Sequence, residues 1–176
     1  MKSHKSKFWL EKPMAHFSEE EWESLCDGCG RCCLNKVEYI DVQEIHFTNI
    51  SCSELDCSTG LCRSYANRQK KVPDCLKITP QNIKSMTCLP PSCGYKLVAA
   101  QKDLPDWHPL QCGLSSGPEK AQMSVKGKII SEEDITGELD DFLIKWVPPL
   151  DAETGNVLQT STTSFKKSKE DFKDEL

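Results

Sequence analysis

Between Cys26 and Cys33 the sequence CDGCGRCC sets four thiols into eight residues, and nothing else in the chain restricts the fold as strongly. Thiols this dense are engaged in disulfides, in zinc sites or in iron–sulfur clusters. There are eleven cysteines in all, which leaves one unpaired in any all-disulfide scheme. The opening segment MKSHKSKFWLEKPMAHF is basic but has no apolar run of signal-peptide length. No other stretch is long and apolar enough to span a bilayer. A cytoplasmic protein is therefore expected, in which clustered cysteines read as metal ligands or redox groups before disulfides. The closing residues KDEL, Lys173 to Leu176, match an endoplasmic-reticulum return signal. Without an entry signal that address is not read, and the match is taken as a coincidence in a tail rich in Lys, Asp and Glu.

A length of 176 residues suits one compact domain with a tail. Aromatic residues make up only 7% of it, and the mean hydropathy is negative. The apolar core is thus expected to be modest and to gain from a metal staple. The net charge of −5 disfavours a broad nucleic-acid interface, which needs clustered Lys and Arg. The basic run RQKK, Arg68 to Lys71, reads instead as a solvated face near thiolates that need countercharge.

In FSEEEWESL, Ser18 and Glu21 form a capping box and Phe17 and Trp22 a hydrophobic staple, so a helix is expected over 19–25. Branched and aromatic residues over 37–50 predict two short strands broken near Asp41. The turn-formers from Cys52 to Cys62 predict a loop. Thr79 and Pro80 start a predicted helix to Met86, CGYKLVAAQ predicts another, and Pro105 and Pro109 hold an extended loop. Helical spacing of Ile135, Leu139, Phe142, Leu143 and Trp146 predicts an amphipathic helix over 131–147, although Gly137 weakens it by about 1 kcal/mol relative to alanine. Pro148 and Pro149 end it. The expected organisation is a cysteine-cluster domain over 1–147 and a disordered polar tail over 148–176.

Cys26 and Cys29 form a C-x-x-C pair whose spacing lets two sulfurs from one tight turn reach the same ion, and Gly28 and Gly30 allow the backbone to turn. Cys32 extends the pattern to three ligands in the manner of ferredoxin-type clusters. Adjacent side chains tend to point apart, so Cys32 and Cys33 more easily serve different ions, or one serves a metal and the other packs. Spacing alone would pair Cys57 with Cys62 and Cys88 with Cys93, and would also admit Cys52 with Cys57. Each of these is a weak signal beside the bland reading of a buried apolar cysteine.

The motifs EWESLCDGCGRCCL, EIHFTN, PDCLKIT, SCGYKL and KDLPDWHPL, in this order, resemble the YcgN/YkgJ family of cysteine-cluster proteins. Those are small proteins with a C-x-x-C-x-x-C-C domain held to chelate zinc or iron. The likeness runs from about Phe8 to Gly113 and more weakly to Val147. It implies as ligands Cys26, Cys29, Cys32, Cys33, Cys52, Cys62, Cys75 and Cys93, and it leaves out Cys57, Cys88 and Cys112. Eight thiols suffice for two four-sulfur sites or one polynuclear cluster. His108, in DWHPL, also fits the pattern and reads either as a ligand near the metal or as a hydrogen-bonded loop residue.

The expected fold class is α+β, a small, loop-rich, metal-stapled domain with short helices and a small β-element. The expected partner is a metal ion, zinc or iron, with no membrane and no nucleic acid. The leading function is metal binding of a structural or interaction kind. An iron–sulfur protein for electron transfer or redox sensing is the alternative, although the usual C-P after a third three-residue spacer is missing. A metal-dependent enzyme is a third class. It finds little support, because no H-E-x-x-H, G-x-S-x-G or phosphate-binding glycine loop is present.

Overall fold

The computed structural model describes residues 7–158. Its centre is a hairpin, β1 (Leu34–Tyr39) and β2 (Glu44–Ser51), paired antiparallel. β2 is the middle strand of the sheet. Its other edge takes the two-residue strands β3 (Ile130–Ser131), parallel, and β4 (Leu150–Asp151), antiparallel. The helices are short: α1 (Phe8–Glu11), α2 (Glu19–Ser24), α3 (Arg68–Lys71), α4 (Gly94–Ala99), α5 (Pro109–Cys112) and α6 (Gly117–Lys120). Long irregular connections join them, so the domain is α+β and loop-rich.

Local chemistry explains where several elements start. The capping box opens α2: the Glu21 N–H donates to Ser18 Oγ at 3.2 Å and the Ser18 N–H to Glu21 Oε2 at 2.8 Å. The hairpin turns over residues 40–43, where the alternation breaks, with Gln43 at positive φ. α4, Gly94–Ala99, falls within the helix expected over 93–101, with Cys93 at its N-cap. The helix expected over 79–86 shrinks to a single 3-10 turn, Ile83–Ser85.

The helix expected over 131–147 does not form. Two 3-10 turns, Glu132–Asp134 and Leu139–Phe142, flank Gly137 at φ +120°, a value no α-helix passes through. β2 supplies the competing partner. The Ile144 N–H donates to the Phe47 carbonyl at 2.9 Å, and Leu143 bridges Thr48. Residues 148–158, assigned by sequence to the tail, are folded here: Leu150 is fully buried and pairs with Ile45. The remainder of that tail, 159–176, lies outside the described residues.

Two apolar clusters result. The helical one gathers Trp9, Trp22, Leu25, Ile83, Leu89, Cys93, Tyr95, Val98 and Leu104, with Cys32 packed against it. The sheet cluster gathers Leu34, Ile45, Phe47, Leu55, Val125, Val147 and Leu150, with Cys33 and Cys88 packed against it. The neighbours Cys32 and Cys33 thus face different cores.

Pairing of β1 with β2 slips between Leu34 and Lys36, because three residues of β2 stand opposite Asn35. Thr48, fully buried, mends the slip: its hydroxyl donates to the Asn35 carbonyl at 2.8 Å and accepts from the Ile50 N–H at 3.1 Å. The bulge lets the hairpin's open end bring Cys33 and Cys52 together. Thr48→Val keeps the shape and strands both backbone groups, so it is expected to destabilise the domain by about 1–3 kcal/mol. Urea unfolding should show a lower midpoint at an unchanged slope.

Candidate metal centre

α2 runs directly into the cysteine loop through Leu25, which is wholly buried. Gly28 and Gly30 then take left-handed φ values of 71° and 76°. At Gly30 no side chain fits, since a Cβ would lie 2.6 Å from Val125 Cγ2 and 2.9 Å from the Gly60 carbonyl. The Val125 N–H donates to the Cys29 carbonyl at 2.9 Å and pins the loop from the other side. Asp27 Oδ1 accepts from the Cys29 N–H at 2.9 Å, closing the turn between the first two cysteines. Its Oδ2 is buried with no hydrogen-bond partner. A 3-10 turn, Arg31–Cys33, delivers the doublet to β1.

Beside this loop lies a cavity of about 530 Å³, walled by Cys26, Cys32, Cys33, Cys52, Cys62, Cys75 and Cys88. Six of the eight expected ligands therefore share one wall. The other two, Cys29 and Cys93, are buried and do not line it. Cys88, which the resemblance left out, does. It could have been found from its C-x4-C spacing to Cys93. Cys57 stands apart, its Sγ 3.9 Å from Ser51 Oγ, and the exposed Cys112 donates to the Trp107 and Leu114 carbonyls at 3.4 and 3.5 Å. Among the described residues, no three His, Cys, Asp or Glu side chains are drawn together as a closed set for one ion. The thiols stand around the wall rather than meeting at a point.

Their charges are nonetheless coupled. Cys32 and Cys33 Sγ are 3.9 Å apart. Their mutual hydrogen bond brings the Cys32 thiol down to about 7, against the opposing effect of burial and with help from the Lys36 ammonium. The same bond, then burial and the nearby Cys32, Cys52 and Cys75, pushes Cys33 up. Burial pushes Cys93 up to about 12 and raises Cys29 strongly, and in both the charges of Asp27 and Cys32 add to it. Cys75 is raised by burial, relieved by Arg68 and burdened by Cys52, Cys62 and Cys32.

Cations meet this demand. The Lys36 Nζ donates to the Cys32 and Leu34 carbonyls at 3.0 and 2.7 Å and lies 5.2 Å from the Phe47 ring centre. Burial lowers its pKa, and the neighbouring thiolates oppose that. Arg31, 4% exposed, donates to the Met123 carbonyl at 2.7 Å and sits close enough to Cys29 and Asp27 to feel both charges. Arg68, from the basic run read as countercharge for thiolates, lines the cavity, while Lys71 pairs with Glu54 at 3.2 Å.

The donor set suits a thiophilic metal. Soft sulfurs, buried cations and an unpartnered carboxylate oxygen form an environment that a bound zinc or iron would complete. The expected ligands Cys26, Cys32, Cys33, Cys52, Cys62 and Cys75 could hold it from the cavity wall, with Cys29 and Cys93 buried beyond the wall.

His108 has another occupation. Wholly buried, it accepts the Leu110 N–H at Nδ1, 3.2 Å away, and its Nε2–H donates to the Leu25 carbonyl at 3.1 Å. Burial lowers its pKa, so the ring is neutral with both nitrogens engaged. No lone pair is left for a metal.

Fold and site together define a small cysteine-cluster protein. A family model described as "CxxCxxCC: Putative zinc- or iron-chelating domain" matches residues 25–94. A protein of Granulibacter bethesdensis is 47% identical over 139 residues, covering 79% of this chain and 83% of its own. One from Gluconobacter oxydans is 47% identical over 146 residues, covering 83% and 89%. One from Shewanella pealeana is 44% identical over 146 residues, covering 83% and 99%. All three are named UPF0260 proteins. The chain belongs to the UPF0260 family. No solved structure matches it.

Replacing His108 separates ligand from brace. His108→Gln is expected to keep the metal content of the folded protein and to lower its stability by about 1–3 kcal/mol, through the two buried backbone groups it leaves imperfectly paired. Elemental analysis beside a urea titration reads both. Metal loss at an unchanged unfolding midpoint would make His108 a ligand.

Proposed function

We propose that this protein chelates zinc or iron through its cysteine cluster and that the bound metal completes the fold. The observation that carries this reading is the cavity itself, where seven thiols from five separate stretches of chain share one wall with Lys36 and Arg68. Thiols gathered from so far apart in sequence point to a common ligand rather than to ordinary burial. In this reading the metal supplies cross-links that a core of modest aromatic content lacks. The protein side supplies thiolates, backbone amides at the glycine turns, and buried positive charge. The role is then structural or one of interaction, in the cytoplasm.

A second reading, an iron–sulfur centre for electron transfer or redox sensing, is favoured by the cavity volume. A single water occupies about 30 Å³ of liquid, and about 530 Å³ leaves room for more than one bare ion. Inorganic sulfide bridging several irons would use such space.

Anaerobic purification without added metal, followed by elemental analysis and an absorption spectrum, tests both readings. Colourless protein with stoichiometric zinc supports the structural centre. Brown protein with iron and acid-labile sulfide supports the cluster, and metal-free folded protein overturns both. Cys29→Ser is expected to remove at least half of the metal and to destabilise the domain, whereas Cys112→Ser should leave the metal intact. Equal losses in the two variants would show that the ligand set is wrong.

A further inference from the structure

Resting on the chelation reading, we propose that the doublet Cys32–Cys33 divides the eight thiols between two separate metal centres. Cys26, Cys29, Cys32 and Cys93 serve the one on the helical side; Cys33, Cys52, Cys62 and Cys75 serve the one on the sheet side.

The division follows the packing. Cys32 and Cys93 belong to the helical core, whereas Cys33 belongs to the sheet core. Cys93 is held beside the first cysteines by its neighbour: Gly94 packs so tightly on Leu25 that a Cβ there would stand 2.1 Å from the Leu25 carbonyl. Leu25 in turn precedes Cys26. On the other side the Cys52 N–H donates to the Cys33 carbonyl at 3.0 Å across the open end of the hairpin. Cys62 bridges Leu55, and the Arg63 N–H donates to the Glu54 carbonyl at 2.8 Å, which folds the 52–63 loop back on itself next to Cys52. Cys75 lines the cavity wall with Cys33, Cys52 and Cys62 and completes the sheet-side set.

The buried Asp27 Oδ2, with no hydrogen-bond partner, belongs to the turn between Cys26 and Cys29. Lys36, whose Nζ donates to the Cys32 and Leu34 carbonyls, stands at the junction of the two sets. Arg31, next to the doublet, is held on the Met123 carbonyl. Cys88, on the wall beside Lys36 and Lys96, belongs to neither set.

The test counts metal on the full chain purified anaerobically, with circular dichroism to confirm folding. Cys26→Ser and Cys75→Ser are each expected to retain about half of the wild-type metal, since each dismantles one of two four-thiolate sites. Cys26→Ser combined with Cys93→Ser should still retain that half, whereas Cys26→Ser combined with Cys75→Ser should retain almost none. Cys88→Ser should retain all of it. If a single variant empties the protein, the thiols hold one shared cluster and the division fails. A second measurement covers variants that unfold. Wild-type protein is stripped stepwise with a chelator, alkylated with N-ethylmaleimide and read by intact mass. Labels added in blocks of four support two centres, and one block of eight overturns them. Wild-type protein that contains no metal at all would overturn the chelation reading itself, a result distinct from either of these.

Discussion

The carbonyl of Leu25 is the point from which the site is built. The His108 ring donates to it at 3.1 Å, and the bare Cα of Gly94 presses against it so closely that no side chain could stand there. Three segments remote in sequence meet at that one oxygen: the end of α2, the start of α4 and the loop before α5. The first carries Cys26 and the second carries Cys93, so the clasp sets the distance between them before any metal is considered. Because the contact is a hydrogen bond inside a fully buried environment, losing it strands polar groups that water cannot reach. A surface contact of the same length would have far less hold over the loop.

From that anchor the cysteine loop crosses between the two cores, and its route decides what the doublet can do. Left-handed Gly28 and Gly30 turn the chain sharply, and the 3-10 turn of Arg31–Cys33 releases it into β1. Leaving this turn, Cys32 packs against the helices and Cys33 against the sheet, with their Sγ atoms 3.9 Å apart. The bulge at Thr48 does the matching work on β2, because the extra residues bring Ser51 level with Leu34 and so set Cys52 against Cys33. The sheet contributes little area of its own. Its use is to deliver thiols from the two ends of one hairpin to the same side of the cavity.

Much of this was legible in the sequence where the signal is local. The capping box at Ser18 and Glu21, the hairpin broken near Asp41 and the glycine turn between the first cysteines depend on residues a few positions apart, and the structure has all three. The segment 131–147 shows the opposite case. Its apolar residues repeat with helical spacing, yet Ile144 and Leu143 find backbone partners on β2, and Gly137 supplies the conformation that lets the chain stay extended. Periodicity measures how a segment would bury itself alone, and a free strand edge can outweigh it. Leu150 was lost to the tail for the same reason: one leucine in a polar stretch carries no pattern, although it completes the sheet. Cys88 illustrates a third limit. Its C-x4-C spacing to Cys93 offered it as a ligand and the family resemblance left it out, and its place on the cavity wall depends on how the long loop between α3 and α4 is folded.

Charge explains why an acidic protein encloses so many of its cations here. Lys36, Arg31 and Lys96 each lose solvation by burial, which lowers their pKa values, and in each case thiols oppose that loss. Without thiolates the arrangement would be unfavourable, since an enclosed ammonium or guanidinium needs a compensating partner. Backbone carbonyls meet part of the need: Lys36 has two, Arg31 has Met123, and Lys96 has Leu89 and Gly155. Dipoles alone do not neutralise a full charge. Nor do the thiols gain by ionising alone, because burial raises the pKa of Cys29 and Cys93. Cations and thiolates stabilise one another only if both are charged at once, and a thiophilic metal drives that state by binding the deprotonated sulfur and displacing its proton. In the proposed chelation, folding and metal binding would be two aspects of one equilibrium, in which the loop from Cys26 to Cys33 is the element that both would depend on.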